Sequence, residues 1–96
     1  MWDSVTVVDE DHDPVLYEGQ EPVVVIVMNT GPGPVIVQAW RKPDPPHGSE
    51  PFARLELRPG NIKAINGSLI RAKLASSTIG GPRRSDYAAL GWTVRL

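Results

Sequence analysis

Ninety-six residues with a formal net charge of -1, 41% hydrophobic and 22% charged, suffice for one domain with one core, 1–96, of ordinary folded composition. The absence of cysteine excludes disulfides and thiolate metal sites. The longest apolar run, Val23–Met28, is far too short to span a bilayer, and Met1-Trp2-Asp3 opens without the apolar stretch of a signal peptide. The chain as written is therefore expected to be soluble, without membrane insertion and with no compartment assigned.

Ten prolines and nine glycines punctuate the chain, and both residues are poor inside helices. Between them lie short runs rich in Val and Ile, the composition of strands. Ser4–Val8 alternates, with Val5 and Val7 on one face. Val15–Tyr17 reads as a short edge strand. Pro22–Thr30 is a strand with a continuous apolar centre, and Asn29–Pro34, NTGPGP, is a strong turn. Val35–Trp40 follows, most simply as the hairpin partner of the preceding strand. Arg41–Pro51 contains four prolines and reads as a long irregular loop.

In the second half, Ala53, Leu55 and Leu57 alternate with Arg54, Glu56 and Arg58, and Pro59-Gly60 is a second turn. Ile62 and Ile65 are three apart, which breaks the period of two and predicts a bulge or bend. Ile70, Ala72 and Leu74 oppose Arg71 and Lys73. This segment fits a strand, or a two-turn helix over Leu69–Ala75 capped by Ser68. Ser76–Ser85 is a polar, Gly-rich loop. Tyr87–Leu96 alternates most cleanly, with Ala88, Leu90, Trp92, Val94 and Leu96 on one face. Seven or eight short strands with turns every 8–12 residues predict an all-β fold, a small β-sandwich of immunoglobulin-like or jelly-roll-like kind, with a small barrel as the alternative.

One strand has a functional implication. Val23–Met28 is apolar on both faces, whereas a strand in a two-layer fold needs only one. Ile36 and Trp40 add to the excess. Either loops or the N-terminal segment cover the second face, or a partner does, because exposed apolar patches mark interfaces. Val24, Ile26, Met28, Ile36 and Trp40 are the candidate interface.

The stretch Val23–Val37, VVVIVMNTGPGPVIV, resembles the strand–turn–strand signature of CARDB-type immunoglobulin-like domains, and Leu57-Arg58-Pro59-Gly60 resembles the turn that follows in them. The resemblance covers about twenty residues. It implies a non-enzymatic adhesion or spacer module. The chain departs from that pattern in standing alone and in carrying Trp40 and a Pro-rich loop. Small accessory proteins of phage particles also use free-standing sandwiches, an analogy at the level of fold.

Charge is divided along the chain. Residues 1–30 carry seven acids (Asp3, Asp9, Glu10, Asp11, Asp13, Glu18, Glu21) and no Lys or Arg. Residues 51–96 carry eight bases (Arg54, Arg58, Lys63, Arg71, Lys73, Arg83, Arg84, Arg95) against Glu56 and Asp86. Such a division favours internal pairing or head-to-tail association with another copy.

Few constellations carry chemistry. Asp9, Asp11 and Asp13 alternate as hard oxygen ligands for calcium would, but Pro14 replaces the Gly of a calcium loop and Gln20 stands where its Glu belongs. A solvated acidic loop is the simpler reading, and no cofactor is expected. A zinc site would need His12 and His47 with Asp11 or Asp44. There is no nucleophile motif or phosphate loop, so no enzyme activity is expected. Arg54, Arg58, Arg71, Lys73 and Arg95 would form an anion-binding face if their three strands shared a sheet. A pI of about 6.1 argues against nucleic acid. Trp2 and Trp40 suit interface anchoring or sugar stacking, and Trp92 suits the core. The expected function is a structural or adhesive module that assembles with itself or docks on a larger protein. The alternatives are a carbohydrate-binding module, with or without calcium, and a binder of an anionic ligand or nucleic acid through a basic sheet face.

Overall fold

The computed structural model describes residues 2–41, 50–75 and 87–95. It is all-β. Six strands, β1 (Ser4–Asp9), β2 (Val15–Pro32), β3 (Val35–Trp40), β4 (Ala53–Leu57), β5 (Ile62–Leu74) and β6 (Tyr87–Arg95), form one antiparallel sheet in the order β1-β6-β2-β5-β3-β4. Among the described residues the sheet is not closed.

Seven or eight strands become six because two pairs of expected strands are continuous. The segment at 15–17 runs on into β2, which is 18 residues long, and the two segments on either side of Gly67 are one 13-residue strand, β5. The helix alternative over Leu69–Ala75 is thereby excluded. The alternation of Ile70, Ala72 and Leu74 is the pleat of a strand whose apolar side lies in the core.

Both long strands change partner along their length. Val15–Glu18 of β2 pair with Leu69–Arg71 of β5, and Val23–Met28 pair with Ile62–Gly67. Between Glu18 and Val23 the register shifts, so β2 carries extra residues at 19–22 that its partner does not match. Extra residues on one strand bend the pair, as a bulge does. Residues 24–32 of β2 also pair with β6, whereas β3 pairs only with the far half of β5, Leu69–Leu74. One half of the sheet is therefore β1, β6, residues 23–32 of β2 and residues 62–67 of β5. The other is residues 15–18 of β2, residues 69–74 of β5, β3 and β4.

The expected β2–β3 hairpin does not form, because β5 separates the two strands. The Asn29–Pro34 segment instead carries the chain from one half of the sheet to the other. Gly31 has φ 86° there, a left-handed conformation that favours Gly, and a Cβ on it would stand 3.2 Å from the Cβ of Pro59.

The buried side chains form one cluster drawn from both halves: Val8, Val23, Val25, Val27, Ile65, Ala88 and Leu90 from the first, Leu16, Val35, Val37, Ala39, Leu57, Ile70 and Ala72 from the second. Trp92 and Val94 pack against it, and the Trp92 indole Nε1 donates to the carbonyl of Leu16 at 3.0 Å, tying β6 to the near end of β2. Ala72 N donates to Pro14 O at 3.0 Å nearby. Among the described residues no helix is long and apolar enough to cross a membrane.

Candidate functional site: an apolar sheet face between two edges

Odd-numbered residues of β2 from Val23 to Val27 point into the core, so Val24, Ile26 and Met28 lie on the opposite face. Register extends that face across four strands. Val5 is opposite Gly91, Gly91 opposite Met28, and Met28 opposite Ile62, so these four residues form one row. Thr93, Ile26 and Ala64 form the next row, and Arg95, Val24 and Asn66 the third. Within this face Val5 is 76% exposed, Ile62 56%, Val7 46% and Val24 37%.

Trp2 sits on this face. A Cβ built on Gly91 would stand 2.7 Å from the Trp2 Cγ, so the indole lies against a backbone that only Gly leaves open. Trp2 also lines a shallow groove of about 510 Å³ with Asp3, Ile26, Thr93, Val94 and Arg95. The N-terminal segment thus covers part of the second apolar side of β2, beside Ile26, and leaves Val5, Val7 and Ile62 open.

The candidate interface divides. Val24, Ile26 and Met28 are on this face. Ile36 and Trp40 are on β3, opposite Lys73 and Leu69, in the other half of the sheet. Ile36 is buried and Trp40 half-buried.

The basic residues divide as well. Arg54 is opposite Gln38, and Gln38 is opposite Arg71, so one row holds two guanidinium groups with an amide between them. Lys73 lies one row along, opposite Ile36, which is itself opposite Glu56. Arg58 follows the end of β4. Arg95 belongs to the other half of the sheet, opposite Val24. The strands at 53–58, 68–75 and 87–96 do share the sheet, but β2 and residues 62–67 of β5 lie between Arg95 and the basic rows.

In the acidic loop, Asp9 and His12 exchange backbone hydrogen bonds at 3.3 Å, and the Asp9 Oδ1 accepts from Asp11 N at 2.8 Å. This carboxylate closes a tight turn, as Asp does in Asx turns. Among the described residues no three His, Asp or Glu side chains are grouped to hold a metal ion, and Asp9, Asp11 and Asp13 are not so gathered. His47, Asp44, Arg83 and Arg84 lie outside the described residues.

Sequence reasoning missed Val5, Val7, Ile62 and the pairing of Trp2 with Gly91. The adjacent valines at 7 and 8 give no sign of which one faces the core. Only pairing with β6 decides it, burying Val8 opposite Ala88 and leaving Val5 and Val7 outside.

No family model, no curated protein and no solved structure matches this chain.

Proposed function

We propose that this protein is a non-enzymatic interaction module that assembles with itself, a structural or adhesive role, through the outer face of its β1-β6-β2-β5 half. The observation that carries this reading is the row Val5–Gly91–Met28–Ile62, an apolar strip across four strands whose two ends are among the most exposed hydrophobic residues described. Apolar residues exposed together on one sheet face, rather than singly, support a binding surface there. The two halves sharing one core support a sandwich-like reading of the fold. The bond from Asn29 to the Leu57 carbonyl joins the two turns on which the CARDB-type resemblance rests.

The test is solution mass by sedimentation or light scattering across concentration and salt. Assembly predicts a mass above the monomer at high micromolar concentration that survives moderate salt, since apolar burial supplies the affinity and charge mainly the rate. Ile62→Asp, at the exposed end of that row, should return the chain to monomer while circular dichroism stays unchanged. A monomer at all salt concentrations overturns the reading.

A second reading rests on the row Arg54–Gln38–Arg71, whose paired guanidinium groups suit an anionic ligand. A melting temperature raised by a polyanion such as heparin, and not raised in Arg71→Gln, would favour it.

A further inference from the structure

Strand edges expose backbone donors and acceptors, and which residues expose them can be read from the ladder. In an antiparallel pair, alternate residues turn both N–H and C=O to the same neighbour. Asp9 turns its groups away from β6, toward His12. Val7 and Val5 therefore do the same, and among the described residues no strand pairs with them on that side. Tyr87, opposite Asp9, agrees: its carbonyl accepts from Gly33, on the side away from β1.

The opposite edge of this half of the sheet follows by the same rule. Asn29 turns its N–H and C=O toward Asn61 and Gly60. Val27, Val25 and Val23 then bond to Lys63, Ile65 and Gly67, and Ile62, Ala64 and Asn66 turn their groups outward. No described strand pairs there, because β3 meets β5 only from Leu69 onward. Lys63, which would crowd this edge, directs its Nζ to the Glu56 carbonyl at 3.1 Å.

The two edges are complementary in charge. Val5 and Val7 lie between Asp3 on one side and Asp9, Glu10, Asp11 and Asp13 on the other, within a stretch that has no base. Ile62 and Ala64 lie between Arg58 and Asn66, whose Oδ1 accepts from Arg41 Nη2 at 2.9 Å. Resting on the self-assembly reading above, we infer that copies of this chain join head to tail, β1 of one adding antiparallel to residues 62–66 of β5 in the next. Val5 pairs with Ala64 and Val7 with Ile62, all four with outward backbone groups. That register sets Asp3 opposite Asn66, beside Arg41, and ends at Val7 and Ile62, because His12 already occupies the place beside Asp9. The acidic 9–13 turn then stands beyond the last pair, toward the end that carries Arg58. The exposed faces of the two copies become continuous. Ser4–Val8 holds none of the Lys, Pro or inward charges that blunt a strand edge. Such an interface is heterologous, so it propagates as a filament or closes as a ring.

Because the chain has no cysteine, single-cysteine variants report their own contacts. Val5→Cys and Ala64→Cys, mixed and oxidised, should cross-link with each other. Neither should cross-link with itself, and the double variant should give a ladder of covalent oligomers. In the unmodified chain, protection of the Val5 and Ala64 amide protons from exchange should rise with concentration. If Val5→Cys cross-links with itself while the unmodified chain is oligomeric, assembly stands and the head-to-tail register falls. If the chain is oligomeric but the Val5 and Ala64 amides exchange at the same rate at every concentration, the register also falls. A monomer throughout overturns both proposals.

Discussion

The side-chain amide of Asn29 donates to the carbonyl of Leu57 at 2.9 Å, across 28 residues of chain, with both residues fully buried. The same Nδ2 donates to Gly33 O at 2.9 Å, and the Oδ1 accepts from Gly31 N at 2.6 Å. The Asn29 backbone bonds to Asn61 and Gly60. One side chain thus satisfies three backbone groups where the chain passes between the halves of the sheet and joins that passage to the 58–61 turn.

Asn29→Ala should therefore be among the most damaging single changes. It orphans buried groups of Gly31, Gly33 and Leu57, and a buried unsatisfied group costs about 1–3 kcal/mol. A loss of about 2–5 kcal/mol is expected from urea unfolding. Asn29→Asp keeps the acceptor but sets a carboxylate oxygen against two carbonyls, so it should be at least as damaging.

Gly67→Ala and Gly91→Ala should differ in kind. A Cβ on Gly67 meets the Ala39 Cβ at 2.8 Å and the Trp40 carbonyl at 3.1 Å, neither of which can swing aside. Overpacking of this sort costs about 1–3 kcal/mol and should lower the melting temperature. A Cβ on Gly91 meets the Trp2 side chain, which can leave. There the expected result is a red-shifted Trp2 emission, read with Trp40 and Trp92 replaced by Phe, and little loss of stability.

Trp92→Phe should cost about 1–3 kcal/mol, because it removes the donor to the Leu16 carbonyl and leaves that buried acceptor unpaired. Chemical denaturation measures it directly. A loss no larger than that of a surface substitution would mean that this tie between the halves contributes nothing.

Millimolar calcium should leave the melting temperature unchanged, since a ligand of the folded state would raise it. Asp9 already spends its Oδ1 on the Asp11 amide. A rise abolished by Asp11→Ala would establish a calcium site in this loop.

Where strands have a single dry face, the pattern of residues reveals them. The alternation at 53–58 and 87–95 predicts both strand type and core side, with Leu57, Ala88 and Leu90 buried and Arg54, Glu56 and Arg58 exposed. What the pattern hides is continuity and adjacency. The broken period at Ile62 and Ile65 reads as a bulge or bend, yet β5 runs on through Gly67, where the missing side chain lets Ala39 come close. Asn29-Thr30-Gly31 reads as a hairpin turn, yet it is a crossing, because Asn29 bonds to carbonyls of distant segments. The outer face is only partly legible: Val24, Ile26 and Met28 stand out as surplus apolar residues, while Val5 and Ile62 join Met28 only through register.

The place of β6 has a consequence for how the molecule is made. β6 lies between β1 and β2, so β1 has no partner among the described strands of the sheet until Tyr87–Arg95, about eighty residues later, has emerged. Pairings across such separations close slowly. Until then Val5, Val7 and Val8 stand unpaired on a nascent chain, and loss of β6 would release β1 and bare one flank of β2 together.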